Sequence, residues 1–263
     1  MARLDGYAVL ITGASSGIGA ALARELATRG ARLALCARRV ERLAAVARDC
    51  RQALVLPADL AEPSAAEGVV RQAHAELGRL DAVVLNAGYG LARTAAETSD
   101  AEWQAILRVN LLATAAGLRA AVPLMRAQQP RDGWRGRLVI VSSSLARRAV
   151  PDTAAYSATK AAQLALAEAA RVELAAERIA VCSVHPVRTE TEFFATCERI
   201  SGRPLSFRRP VPTQSAERVA RCIAARLRDP PPEIWPHAPS RWLALAAAAC
   251  PRLADRVLAG YRR

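Results

Sequence analysis

The sequence predicts an α/β chain folded as one doubly wound parallel sheet with helices on both faces. Two patterns predict it. Apolar, β-prone runs recur near residues 7–12, 32–37, 53–58, 81–86, 137–142 and 179–185, and longer Ala, Leu and Arg stretches with helical periodicity fill the gaps near 17–29, 41–49, 63–77, 101–127 and 155–176. Runs without polar alternation suit strands covered on both sides. Six such strand–helix units imply a ligand bound at the carboxyl ends of the strands. At 263 residues the chain suits one large domain with a full core, so 1–263 reads as a single unit.

Within the first helix Ile18, Leu22 and Leu26 repeat every four residues, and this stripe is expected to face the sheet. Beyond the sixth strand the pattern changes. Residues 187–212 contain Gly202, Pro204, Pro210 and Pro212 and all three Phe of the chain, Phe193, Phe194 and Phe207, which predicts a lid over the ligand site. A helix near 215–228 follows, then a turn at Pro230, Pro231 and Pro232, a short strand around Ile234, and a C-terminal helical tail over 236–263 carrying Trp242, Leu243 and Leu245. The apolar run of that tail, about ten residues, is too short to span a bilayer.

The formal net charge of +13 would attract polyanions, but the basic residues are spread through the chain, with no basic tail, zinc finger or aromatic RNA-binding motif. No nucleic-acid partner is expected. The six cysteines form no CxxC pair and have no His at metal spacing, which argues against a zinc site and a disulfide framework. The strand pattern begins by Tyr7, leaving no room for a cleavable leader, so a cytoplasmic protein with reduced thiols is expected.

One compositional feature is sharper. Of the 37 basic residues, Lys160 is the only lysine. Arginine is locked in its charged state and planar, whereas an ammonium is a compact charge that can approach other groups closely and lose a proton. Lys160 stands four residues after Tyr156 in Tyr156-Ser157-Ala158-Thr159-Lys160, at the start of a predicted helix, so the two side chains project from one face. An unperturbed phenol titrates near pH ~10, too high for efficient proton exchange at neutrality, and a nearby ammonium is expected to lower it.

The first turn reads Thr12-Gly13-Ala14-Ser15-Ser16-Gly17-Ile18-Gly19, directly after an apolar strand and before an amphipathic helix. Glycines there let the backbone approach a pyrophosphate seated on the helix N-terminus, the mark of a Rossmann-like fold. The second strand ends in Ala37 followed by Arg38 and Arg39. A carboxylate at that point would repel a 2′-phosphate, whereas guanidiniums can fork onto one, so NADP(H) is the expected cofactor, with Arg38 as its main contact.

From Tyr7 to about Thr191 the chain resembles the short-chain dehydrogenase/reductase family, whose fold opens with TGxxxGxG. The resemblance implies that Gly13, Ser15, Ser16, Gly17, Ile18 and Gly19 hold the dinucleotide. It implies that Asp59, beside Leu60, holds the adenine amino group, and that Asn86-Ala87-Gly88 is the NNAG element with Leu85 in place of its first Asn. It implies that Tyr156 exchanges a proton with the substrate oxygen as hydride passes to or from nicotinamide, and that Lys160 holds the nicotinamide ribose. A Ser thirteen residues before the Tyr would bind the substrate oxygen; that count lands on Ser143, although Ser142 and Ser144 flank it. Asn110 would hold a water that relays protons to Lys160. After the sixth strand the family's Pro-Gly becomes Pro186-Val187, and the segment looks shortened, leaving Pro186 and Thr189 as the expected contacts there. His185 reads as part of the strand end.

The expected reaction is carbonyl–alcohol interconversion on a small, hydrophobic substrate, given the Phe-bearing lid. Two alternatives stand beside it: a 3-oxoacyl-carrier-protein type of reductase, suited by a basic surface, and a catalytically idle NADPH-binding protein using its Arg-rich, Trp-bearing tail as a peripheral membrane anchor. By analogy with the family, the Ala-rich face of the 155–176 helix would pair subunits into a homodimer or homotetramer.

Overall fold

The computed structural model describes residues 3–51, 53–205 and 212–260, so Phe207 and Pro210 of the expected lid lie outside the described residues. The apolar runs form β1 (Ala8–Thr12), β2 (Arg32–Ala37), β3 (Leu54–Pro57), β4 (Ala82–Leu85), β5 (Gly136–Val141) and β6 (Ile179–Val184). The sheet runs β3-β2-β1-β4-β5-β6 and closes with β9 (Glu233–Ile234), every pairing parallel. The strand expected around Ile234 is therefore the seventh of the same sheet.

Alternation along β1 feeds two cores. Val9 and Ile11 pack with Leu22 and Leu26 of α1 (Gly17–Thr28), with α2 (Val40–Asp49), and with Val219 and Ile223 of α8 (Ala216–Arg226). Ala8 and Leu10 face the opposite core, which holds Val70 of α3 (Ala65–Leu77), Met125 and Leu138. Period-two strands between amphipathic helices leave no sheet face wet, which is why the strands read as continuous apolar runs.

The stretch predicted as one helix over 101–127 is interrupted. It forms α4 (Asp100–Leu107), a π-helical turn (Arg108–Leu112) and α5 (Ala113–Ala127). Hydrophobic periodicity is blind to one extra residue in a turn, and such bulges gather at functional positions; this one carries Asn110. The whole helix, Asp100–Ala127, is long and apolar enough to cross a membrane, and lies against α3 and α6 (Ala154–Glu173) as a core helix does. Along α6 the expected Ala-rich face, Ala158, Ala161, Ala165, Ala169 and Val172, is exposed.

The lid is tied down at both ends. β7 (Arg188–Glu190) pairs in parallel with β8 (Thr213–Ser215), and α7 (Phe193–Ser201) follows the first of them. The tail is helical as expected, in two pieces, α9 (Ala238–Ala249) and α10 (Pro251–Ala259). α9 packs beside the 3₁₀ turn Ser144–Ala146, bringing the tail to the carboxyl end of the sheet.

Candidate active site

Gly13 and Gly17 sit at φ +68° and +54°, in the left-handed region that side chains with a Cβ avoid. A Cβ on Gly13 would also stand 2.9 Å from Asn86 Nδ2. That amide donates to Thr12 O at 2.9 Å and Gly13 O at 3.3 Å, while Thr12 Oγ1 accepts from the N–H groups of Asn86 (2.9 Å) and Ala87 (3.1 Å). The NAG element thus clamps the glycine turn. α1 has no acidic residue in its first turn and Ser16 offers no side-chain cap, so its leading N–H groups and positive end stand ready for an anion.

In front of the turn opens a cleft of about 280 Å³, lined by Gly13, Ser15, Ser16, Gly17, Ile18, Arg38, Asp59, Leu60, Asn86, Ala87, Gly88, Tyr156 and Lys160, all expected from the sequence. Gly19 is not at its surface. It sits behind Gly13, where a Cβ would come within 2.8 Å of Asn86 Nδ2. Pro186 and Thr189, also expected as contacts, line the neighbouring cavity that meets this cleft at Tyr156. The shortened segment is drawn into the β7–β8 ribbon, where Thr189 Oγ1 donates to Val187 O at 2.8 Å. Thr191 reaches the turn instead, its Cγ2 lying 3.0 Å from where a Gly17 Cβ would be.

Of the two adjacent arginines, Arg38 has a side chain 69% exposed and stands 3.6 Å from Asp59. Arg39 leans over the turn, donating to Ser16 Oγ at 2.8 Å and Ser15 Oγ at 3.3 Å. It also pairs with Glu192 at 2.8 Å, and Arg42 pairs with the same carboxylate, which both hold below the usual carboxylate range. Arg39, Thr191 and Glu192 were missed from the sequence. The signal for Arg39 was present as an Arg pair, but only the twist of the β2 end decides which member faces the turn.

Ser143, Tyr156, Lys160 and Asn110 converge where β5, α6 and the π-turn meet. The three neighbouring serines separate cleanly: Ser142 Oγ donates to Lys160 O at 2.9 Å and Ser144 lies in the following turn, whereas Ser143 Oγ accepts from Leu145 N at 3.1 Å and interacts with the Tyr156 phenol. The sign of that interaction, favouring the phenolate, makes the Ser143 hydroxyl the donor to the phenol oxygen. His185 is fully buried behind it. Ser143 O can only accept, so His185 Nδ1–H donates to it at 3.0 Å and Nε2 accepts from Ser183 Oγ at 2.9 Å. Burial lowers its pKa and Trp235 stacks on the ring at 4.5 Å, so this neutral imidazole supports the Ser143 backbone.

Asn110 is fully buried; its Nδ2 donates to Tyr89 O (3.0 Å) and Thr159 Oγ1 (3.1 Å), and its Oδ1 accepts from Tyr89 N (3.0 Å). Its side chain fastens the loop after β4 to α6. Lys160, 4% exposed, donates to Val141 O at 2.9 Å and Gln163 Oε1 at 3.0 Å, and its Nζ lies 5.7 Å from the Tyr156 ring centre. Burial lowers Lys160 from 10.5 to about 7. The expected lowering of the phenol is not found: burial pushes Tyr156 up to about 12, against a smaller opposing effect of Ser143. Desolvation dominates, while the Lys160 amine is turned toward the oxygens of Val141 and Gln163.

Beside the cleft lies an apolar cavity of about 730 Å³, lined among others by Ser143, Leu145, Val150, Phe193, Phe194, Leu243 and Val257. Tyr156 and Phe193 border both spaces, their rings 5.3 Å apart edge to face. Phe193 therefore both packs the lid and lines the cavity.

A family model described as short chain dehydrogenase matches residues 7–199. 11-beta-hydroxysteroid dehydrogenase 1A of Arabidopsis thaliana is 37% identical over 196 residues, 72% of this chain and 54% of that protein. Glycine betaine reductase ATRR of Emericella nidulans is 34% identical over 193 residues, 72% of this chain and 15% of that protein; the chain thus spans only part of both relatives. A crystal structure of a short chain dehydrogenase from Burkholderia cenocepacia in complex with NADP superposes with TM-score 0.76 and 29% identity, covering 88% of this chain and 96% of that one. One of 3-ketoacyl-(acyl-carrier-protein) reductase from Brucella melitensis complexed with NADH gives 0.75 and 26%, covering 89% and 97%.

The buried amine makes stability depend on pH. Between the folded value of about 7 and the ordinary 10.5 the unfolded chain holds a proton that the folded chain lacks, so stability rises with pH across that window. A Lys160→Met variant is therefore expected to gain most over the parent below about pH 7 and to lose that advantage by about pH 10, read from urea midpoints. An advantage independent of pH would contradict burial as the cause.

Proposed function

The chain belongs to the short-chain dehydrogenase family of oxidoreductases, and from that membership we propose that it interconverts a carbonyl and an alcohol with NADP(H), acting on an apolar substrate. The observation that carries the reading is the position of Tyr156 on the border of a polar cleft and an apolar cavity, with Lys160 on the cleft side and Ser143 on the cavity side. The cleft suits a dinucleotide: left-handed glycines that a Cβ would close, an uncapped helix N-terminus, and Arg38 and Arg39 where a carboxylate would favour NAD. The NADP bound to the similar Burkholderia enzyme supports the choice.

When bound, the cofactor supplies or accepts the hydride. The protein's share is proton and charge handling. Ser143, held by the N–H of Leu145, directs its hydroxyl at the Tyr156 phenol and donates it to the substrate oxygen when substrate enters. Tyr156, pushed up to about 12, is protonated at neutral pH and delivers that proton in the reducing direction. Lys160 steadies the phenolate left behind and, with Gly88 close beside it, borders the space where the cofactor ribose would lie. The cavity walls, Leu145, Val150, Phe193, Phe194, Leu243 and Val257, select lipid-like, steroid-like or aromatic ketones. A 3-oxoacyl-carrier-protein substrate is the second reading, favoured by the likeness to the Brucella reductase and the net charge of +13; the tail helices walling the cavity weigh against it.

The tail carries a further proposal, contact with an anionic membrane surface. Trp242 (68% exposed) projects from α9 beside Arg241, and Arg252 and Arg256 are exposed on α10.

Three outcomes test these readings. Tyr156→Phe should lower turnover by ~10²–10⁴-fold while leaving NADPH binding nearly unchanged; near-normal turnover overturns its role. Arg39→Ala should weaken NADPH binding about tenfold, roughly one charge-assisted hydrogen bond, and NADH binding little; equal losses would remove the 2′-phosphate argument. The parent should co-sediment with phosphatidylserine vesicles, and Trp242→Ser should release it; indifference to vesicles ends the membrane proposal.

A further inference from the structure

Gln163, one turn beyond Lys160 on α6, is fully buried and was singled out by neither spacing nor resemblance. Its Nε2 donates to Thr114 Oγ1 at 3.0 Å and to the main-chain carbonyl of Asn110. Thr114 Oγ1 in turn donates to that same carbonyl at 2.9 Å, so the threonine has only lone pairs left to offer Gln163. Both partners accept, which fixes the amide: the nitrogen faces the π-turn and Oε1 faces the lysine. Lys160 Nζ donates to that oxygen at 3.0 Å and to Val141 O at 2.9 Å. Two of its three N–H bonds are thereby used, and the amine borders the cleft where a third can serve a ligand.

We propose that Gln163 is a positioning residue for the reaction: it clamps the Lys160 amine and stands, as an amide, between that amine and the Asn110 carbonyl, where resemblance to the family implies a relay water. An amide accepts on one side and donates on the other without passing a proton, so exchange between the Tyr156–Lys160 pair and solvent runs through the cofactor cleft. The proposal rests on the catalytic reading of Tyr156 and Lys160 given above. Among the described contacts no carboxylate or second cation faces the amine; Tyr156 is the titratable side chain recorded against it, and burial alone depresses its pKa.

The chain offers a direct test, because isotopically labelled lysine yields a single side-chain resonance. Its titration in the full-length, cofactor-free protein reads the amine without any substrate. Gln163→Met, similar in length but without the acceptor, should lower the proton affinity of the amine about tenfold, the size of one hydrogen bond to a charged group. Gln163→Glu should raise it. Thr114→Val, which frees one end of the amide, should lower it less and serves if the Gln163 variants fail to fold, as judged by circular dichroism. Midpoints that stay in place, or that move together in Met and Glu, overturn the clamp. With NADPH and 9,10-phenanthrenequinone as the probe ketone, the pH profile of kcat/KM for Gln163→Met should move with the resonance; a moved resonance with an unmoved profile overturns the role in the reaction. Retained turnover in Tyr156→Phe would instead bring down the catalytic reading, leaving the resonance result intact.

Discussion

The Lys160 ammonium is buried among neutral acceptors, Val141 O and Gln163 Oε1, with Asn110, Thr114 and Ser142 arranged around them. A buried charge without a counter-ion is costly, and its surroundings must supply hydrogen bonds in fixed places or the charge is lost. Each of those places belongs to a different element: the end of β5, the first turns of α6, and the π-turn. The departure from regular helix at Arg108–Leu112 presents the Asn110 carbonyl to Gln163 while its side chain grips Tyr89 and Thr159. An arginine could not take this position, being bulkier, planar and permanently charged. That is a chemical reason for one lysine in a chain that otherwise uses arginine.

Around this point the fold sets two different solvents side by side. The nucleotide cleft is built from main-chain amides, small residues and cations at the carboxyl ends of the strands, where parallel sheets open. The cavity beside it is walled by the 3₁₀ turn after β5, the lid helix and the two tail helices. Tyr156 stands at the boundary, and burial keeps its phenol protonated until something polar enters. His185 contributes without touching either space, by holding the Ser143 carbonyl from behind. The lid is joined to the nucleotide side through Glu192, which bridges Arg39 and Arg42, and through Thr191 against Gly17. Surface ion pairs of this kind are individually weak.

What could be read in advance was local in the chain. Glycine spacing in Thr12–Gly19, the strand and helix periods, and the four-residue offset of Tyr156 and Lys160 each follow from backbone geometry within one or two turns, and all stand in the structure as expected. What could not be read depends on neighbours far apart in sequence. Thr189 was the expected contact, but the β7–β8 ribbon takes it up and leaves Thr191 against Gly17. Arg38 was expected to be the main contact, whereas the end of β2 aims Arg39 at Ser16. Gln163 resembled any polar residue on a helix until α6 packed against the π-turn.

The sequence by itself determined the doubly wound sheet, the glycine turn and the pairing of Tyr156 with Lys160 on one helix, because periodicity and short-range spacing act before any packing occurs. Only the tertiary structure decided which serine faces the phenol, which arginine leans on the turn, and in which directions the buried phenol and amine shift. Those outcomes depend on distance and desolvation between segments far apart in the chain, such as Asn110 and Gln163, 53 residues apart, and no local pattern encodes them.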